Sequence, residues 1–592
     1  MRNIGNLDSK QSEGFVVRCR RLQSFFQDGS IILRFLLIAL VFSVLLLSSK
    51  ARLFQTSAIA QVPMQSMPSN PCSALGQRDF SAISDAPTAI LSAQVVPATP
   101  QIPEYCEVKG YVTPQIQFEV RLPSQNWNRR YLQVGCGGYC GSLRATPESI
   151  TALNQNFAVA FDNTGHVGGG IGAGSALWGL DQPQLRIDFG YRSEHVTALA
   201  AKAIATAFYG KSPSYAYFQG CSNGGRQALM SAQRYPNDFN GIIAGAPAAI
   251  QAPLNGEYET WNGRANQDSQ GNPILPSDKL ALIHQAAIAD CDGKDGLSDG
   301  QITDPRVCTF KPESLRCSGN RDQANCLTTA QIAVVNKLYG GARDRQGRLL
   351  YPGSQTIGSE LAWAGSSIGT SGMPPFAAQI SNSYLKYLAF PKSPPASFSY
   401  KDWQFTAEGF DRLRPLGKVY NATNPNLKAF RDRGRKLILY HGWADPAIPP
   451  QGTLAYYQAV QDTMGGLAKV QQFARLFMLP GVYHCQGGTG PSRVDWLTPI
   501  VAWVEQGTPP TKIIASQTAA DSASGGFSNP TERATSSNAT IVRTRPIFPY
   551  PMQARYSGKG SIDDATNFVA VMPSRIPNDR INWIGNDLFQ PQ

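Results

Sequence analysis

The sequence predicts an α/β protein with a mostly parallel, doubly wound sheet and a long insert placed over it. Three observations carry this. Short apolar runs alternate with amphipathic stretches between Tyr131 and Ala244, the alternation lapses from about Gln251 to Leu427, and apolar runs resume at Lys436 to Tyr440 and Leu476 to Leu479. A chain of 592 residues can bury a large core and still carry such an elaboration. With 42% hydrophobic and 16% charged residues, 55 Gly and 42 Pro, it reads as a loop-rich globular chain rather than a disordered one.

The first 60 residues stand apart. Arg18, Arg20, Arg21 and Arg34 precede the apolar run Phe35 to Leu47, and Ala58-Ile59-Ala60 offers a small-residue cleavage site, so the segment reads as an export signal. The alternative is an uncleaved anchor, because Ile31 to Ser49 stretches toward the roughly 20 residues of a membrane span if Arg34 snorkels. After cleavage no membrane contact is expected. Removing this segment, with its eight Lys/Arg and three Asp/Glu, lowers the formal charge from +12 to +7. The remainder has no basic run, which excludes a nucleic-acid partner. Of the 11 cysteines only Cys19 lies in the segment, and the even ten that remain suit disulfides in an oxidising compartment.

Residues 61 to 110 are Pro-rich and weakly periodic, so the ordered domain is expected to start near Ile116, where Ile116, Phe118, Val120 and Leu122 alternate with polar residues. Tyr131 to Val134 and Phe157 to Phe161 read as strands. Tyr191 to Tyr209 reads as an amphipathic helix closed by Gly210. Strand Tyr215 to Gln219, a tight turn, a helix from about Gly225 to Tyr235 and strand Gly241 to Ala244 follow. Ser516 to Ser537 is polar enough for a surface loop. The division expected is a signal or anchor in 1–60, a catalytic domain in 61–250 and 430–592, and a lid domain in 251–429.

Gly220-Cys221-Ser222-Asn223-Gly224 lies between a strand and a helix, the setting of a nucleophile elbow. Glycines two before and two after the serine permit a turn tight enough to expose the hydroxyl and aim the next N–H at a developing oxyanion. An acid and a histidine should follow on loops after later strands. Asp445 follows Lys436 to Tyr440, and His484 follows Leu476 to Leu479. Of the five histidines, His195 lies in a helix, His284 in the insert and His441 beside the acid; His166 is the rival base. The pattern is that of an α/β-hydrolase.

Cys221 and Cys485 adjoin the serine and the histidine, and a bond between them would hold nucleophile and base near attack geometry. Cys136 and Cys140 read as a small disulfide loop. They sit in the glycine-rich stretch Gly135 to Gly141, where Gly137 or Gly138 would join Asn223 in an oxyanion hole. Asp292, Asp295 and Asp299 are spaced through glycine turns, a convergence of hard oxygens that suits Ca²⁺.

With these residues assembled, the chain resembles the tannase and feruloyl esterase family, which includes hydrolases of terephthalate monoesters. The resemblance runs from about Cys72 to the C-terminus and rests on Gly220-Cys-Ser-Asn-Gly-Gly-Arg-Gln, Ala232-Gln-Arg-Tyr-Pro, Gly241-Ile-Ile-Ala-Gly-Ala-Pro, His441-Gly-Trp-Ala-Asp445 and His484-Cys485. It implies an α/β-hydrolase fold with a disulfide-pinned lid, a triad of Ser222, Asp445 and His484, and the bond Cys221 to Cys485. It further implies Ca²⁺ held by the side chains of Asp292, Asp295 and Asp299 and the carbonyls of Leu297 and Gln301, with pairs Cys291–Cys308, Cys317–Cys326 and Cys72–Cys106. Phe548 and Ala570 stand where relatives often have cysteines. The reaction implied is hydrolysis of small aromatic esters of galloyl, feruloyl or terephthaloyl type, without an organic cofactor. The alternatives are a peptidase on the same fold or a non-catalytic, calcium-stabilised binding protein.

Overall fold

Alternate residues along the central strands pack on opposite sides of one sheet: Phe218, Ile242, Leu437 and Leu439 enter one apolar core, Tyr217, Ile243 and Ile438 the other. The computed structural model describes residues 71–168, 175–370, 372–521 and 540–591. The expected signal or anchor segment lies outside the described residues. Among those described, no helix is long and apolar enough to cross a membrane.

The main sheet has nine strands: β1 (Thr88–Val96), β2 (Tyr105–Val112), β3 (Ile116–Pro123), β4 (Arg130–Val134), β5 (Ala158–Asp162), β6 (Tyr215–Cys221), β7 (Gly241–Gly245), β8 (Lys436–Gly442) and β9 (Ala474–Leu479). Their order is β1-β2-β3-β5-β4-β6-β7-β8-β9. Pairing is antiparallel from β1 to β5 and parallel from β5 to β9. β5 and β7 are buried along their whole length, as strands covered on both faces must be.

Two expectations need correction. Order begins well before Ile116, since β1 and β2 extend the sheet and Cys72 is bonded to Cys106. β1 escapes a periodicity reading because it is an edge strand with a register shift between Ile90 and Ser92, so burial does not alternate along it. The segment Ser516 to Ser537 is not all loop. Ser516 to Thr518 end a strand, β11 (Ile513–Thr518), which pairs with β10 (Arg493–Val494) and β12 (Ile541–Ile547), and residues 522–539 lie outside the described residues. A further hairpin joins β13 (Gln553–Tyr556) to β14 (Phe568–Val571).

Between β7 and β8 the described chain adds no strand to the main sheet and builds helices instead, among them Leu280–Cys291, Thr329–Gly340, Phe376–Tyr387 and Ala407–Tyr420. This insert has its own apolar core around Ile283, Val335, Leu338 and Trp363. Cys291–Cys308 and Cys317–Cys326 pin it. Cys136–Cys140 and Cys221–Cys485 complete five disulfides, a number that suits an oxidising, extracellular setting.

Candidate active site

The turn from β6 into helix Asn223–Arg234 places Ser222 at φ 66°, ψ −124°, a conformation that non-glycine residues rarely adopt. The helix starts two residues earlier than its apolar periodicity indicates, directly after the serine. At Gly220 an added Cβ would lie 2.6 Å from the backbone of Gly224, so glycine there is a packing requirement.

Asp445 is fully buried on the loop after β8. Its Oδ1 accepts the backbone N–H groups of Ala447 and Ile448, both at 2.9 Å, and its Oδ2 lies 2.8 Å from Nδ1 of His484. Burial works against the anion, but the charge of His484 and hydrogen bonds from His441 and His484 outweigh it and hold the carboxyl below its ordinary value. Asp445 therefore stays ionised and fixes the tautomer in which Nδ1 carries the proton and Nε2 is basic.

Ser222 and His484 line one cavity of about 150 Å³ with Asn223, Gly137 and Gly138. Asn223 is clamped: Arg226 Nε donates to its Oδ1 at 2.7 Å, and its own Nδ2 reaches Cys140 Sγ at 3.2 Å. One turn later, Gln227 Oε1 accepts the N–H of Cys136 at 3.0 Å. The first turns of the elbow helix thus hold the glycine-rich loop against the serine. Arg226 is itself fully buried and donates to the carbonyls of Gly190 and Phe189. Burial lowers it to about 10, which leaves it charged at neutral pH.

His166 does not line this cavity. It stacks on Trp178 with ring centroids 3.8 Å apart, its Nε2 lies 2.7 Å from the carbonyl of Tyr139, and burial lowers it to about 4. His195 and His284 sit on the carboxylates of Asp238 and Glu360. His441 has a place that the sequence does not disclose: its Nε2 faces Ile448 O at 2.9 Å and Asp445 Oδ2 at 3.2 Å, while Nδ1 accepts from the Thr453 hydroxyl at 2.8 Å. Sequence reasoning also misses the part of the cavity wall that the insert supplies, notably Gln251, Leu254, Glu259, Phe376 and Ile380. Nothing in local spacing signals that these residues meet Ser222.

The acidic loop folds around Asp292, whose carboxylate accepts the N–H groups of Asp299, Gly300 and Gln301 at 2.9 to 3.3 Å. Asp295 accepts from Leu297 N at 2.9 Å and from the Thr303 hydroxyl. Asp299 receives Arg545 Nη2 at 2.5 Å. Burial pushes Asp299 up to about 6 against the pull of Arg545 and Arg543, with Asp292 and Asp295 adding to the rise. These are hard oxygens of the kind a divalent cation takes, but Arg545 already offsets part of their charge and the ligand atoms of Asp292, Asp295 and Asp299 do not all lie mutually within 4.8 Å. Among the described residues, the three whose ligand atoms lie mutually within 4.8 Å are Asp290, Cys291 and Cys308, and the disulfide removes both sulfurs as ligands.

A family model described as tannase and feruloyl esterase matches residues 100–571. An uncharacterized esterase of Xanthomonas campestris pv. campestris is 34% identical over 535 residues, covering 83% of this chain and 88% of the relative. A mono(2-hydroxyethyl) terephthalate hydrolase of Piscinibacter sakaiensis is 33% identical over 551 residues, covering 80% and 85%. The crystal structure of feruloyl esterase B from Aspergillus oryzae superposes with a TM-score of 0.70 at 27% identity, covering 84% of this chain and all of that one. The chain belongs to the tannase and feruloyl esterase family and is a carboxylic ester hydrolase with an α/β sheet.

Proposed function

We propose that the protein is an exported serine esterase that cleaves esters of aromatic carboxylic acids through an acyl-enzyme on Ser222. The observation that carries this reading is the half-buried turn of Ser222 in one cavity with His484, whose Nδ1 is engaged by Asp445 at 2.8 Å. His484 Nε2 takes the proton of Ser222, and the oxygen attacks the ester carbonyl. The N–H of Asn223 and that of Gly137 or Gly138 receive the oxyanion. Collapse expels the alcohol, which leaves with the proton held by His484. Water then attacks the acyl-enzyme with His484 again as base, releasing the acid and restoring Ser222. A cavity of about 150 Å³ has the size known to admit one benzene ring, which supports an aromatic acyl group.

Calcium held by Asp292, Asp295 and Asp299, with the carbonyls of Leu297 and Gln301, is part of the same reading. When bound, the ion would neutralise these carboxylates. It is structural, because the acidic loop shares no lining residue with the cavity of Ser222. Gln301 nevertheless packs against Gly481 and Gly490, in the loop that carries His484.

The test is hydrolysis of methyl gallate, methyl ferulate, a terephthalate monoester, a p-nitrophenyl ester and an anilide by the purified protein beside Ser222→Ala. Serine-dependent cleavage of an aromatic ester, with the anilide untouched, is the expected outcome. Equal inertness of both proteins on every ester would sink the reading, and anilide cleavage would favour a peptidase. Mass measurement of the protein recovered from culture medium tests export, with loss of about the first 60 residues expected.

A further inference from the structure

The glycine-rich loop after β4 closes on itself. Cys136 and Cys140 are bonded across a sequence separation of 4, so Gly137, Gly138 and Tyr139 form the tip of a small covalent ring. Backbone N–H groups at its base are spent on protein acceptors. Gly135 donates to the carbonyl of Gln219 at 2.9 Å, Cys136 to Gln227 Oε1 at 3.0 Å and Cys140 to the carbonyl of Gly137 at 3.0 Å. Among the described residues no acceptor takes the N–H of Gly137 or of Gly138, and both glycines line the cavity of Ser222. The ring thus brings two unspent donors to the cavity wall. Both of its ends are tied to the helix that starts directly after Ser222. Gln227 holds Cys136 through the N–H and, from Nε2, through Sγ at 3.4 Å, while Asn223 Nδ2 donates to Cys140 Sγ at 3.2 Å. Cys140 keeps a φ of 57°, which non-glycine residues rarely adopt. As a staple for the whole fold this bond is the weakest of the five. The chain entropy that a crosslink removes grows with the loop it closes, and the other separations are 9, 17, 34 and 264. What the ring restricts is local, namely where its tip stands relative to Ser222.

We propose that Cys136 and Cys140 are positioning residues for acyl transfer: their bond holds the N–H groups of Gly137 and Gly138 in register with that of Asn223, so that breaking it costs turnover rather than stability. The inference rests on the esterase reading of Ser222. A donor aimed at an oxyanion acts mainly in the transition state, where the charge develops, and little on the neutral ester carbonyl of the bound substrate. Loosening the ring should therefore be felt in kcat and in the binding of a tetrahedral adduct, and hardly in KM.

The experiment compares the full chain with a double variant, Cys136→Ala with Cys140→Ala, in kcat and KM for p-nitrophenyl acetate, in inhibition by phenylboronic acid and in melting temperature. The boronate forms a tetrahedral adduct on a reactive serine and sets an oxygen where the oxyanion would stand. In the variant kcat should fall by about tenfold to a hundredfold, as for a misplaced group, and less than the roughly 10²–10³ that outright loss of a donor costs. Boronate affinity should fall with it, while KM and melting temperature change little. Asn223→Ala keeps its backbone N–H but releases Cys140, and it should show the same pattern, which covers the case in which the double variant fails to fold. Combined, the two changes should cost less than the product of their separate losses, because both act on one ring. An unchanged kcat, a loss confined to KM, a kcat loss that spares boronate affinity, or fully multiplicative losses overturns the proposal while leaving the esterase reading intact. Wild type no more active than Ser222→Ala removes the esterase reading and this one together.

Discussion

Nε2 of His441 lies 3.2 Å from Oδ2 of Asp445, the same oxygen that receives Nδ1 of His484. One carboxylate thus meets two imidazoles on one oxygen and two backbone amides on the other. On the proposed mechanism His441 would act only through Asp445, as a positioning residue. Removing one hydrogen bond to a charged group costs about 1.5–3 kcal/mol, so His441→Leu should lower kcat by roughly tenfold to a hundredfold with little change in KM. His441→Gln, which can still donate, should recover part of the loss. Steady-state kinetics on one ester checks both, and a loss confined to KM would contradict the role.

The bond between Cys221 and Cys485 joins the immediate neighbours of Ser222 and His484. Its removal by Cys221→Ala with Cys485→Ala should cost about 2–5 kcal/mol of stability. It should also lower kcat, because the loop that carries His484 gains freedom. Chemical denaturation and kinetics below the new melting temperature separate the two effects.

His166 supplies a pH dependence. Its folded value, about 4, lies below the ordinary 6.5, so between those limits the unfolded chain binds the proton and the folded chain does not. The contribution of His166 to stability is therefore present above pH ~6.5 and lost as pH falls toward ~4, on the order of 2–3 kcal/mol by pH ~4.5. Denaturation of wild type and His166→Gln at neutral pH and near pH ~4.5 should show a shallower fall in the variant. Equal falls would place the acid sensitivity elsewhere.

Calcium removal tests the acidic loop. Chelation should lower the melting temperature, added Ca²⁺ should restore it, and the shift should vanish in Asp292→Ala. A stable ion present at 100 times its Kd would be worth about 2.7 kcal/mol. Unchanged melting, with no calcium found by elemental mass spectrometry, would assign the neutralising role to Arg545 alone.

Gly220→Ala sets a methyl group against the backbone of Gly224, where neither side can yield cheaply. The expected result is an inactive or insoluble protein, scored by soluble yield and by labelling of Ser222 with an organophosphate.

The elbow is legible in sequence because its geometry is local: Gly220 and Gly224 flank Ser222, and strand and helix patterns bracket them. Asp445 and His484 are legible because each directly follows an apolar strand. What escapes reading is assembled from afar. Arg545 reaches Asp299 across 246 positions, and Glu259 and Phe376 meet the serine only through the folding of the insert. The edge strand β1 escapes for another reason, since an edge needs no continuous apolar face.

The insert, together with β7 and β8, lies within the 264-residue span closed by Cys221 and Cys485. A proteolytic cut in any surface loop of that span opens a covalent ring without dividing the molecule. The fragment bearing Ser222 and the fragment bearing His484 stay covalently joined, and they separate on a gel only after reduction. A nick in that span therefore leaves Ser222 and His484 within one covalently joined molecule.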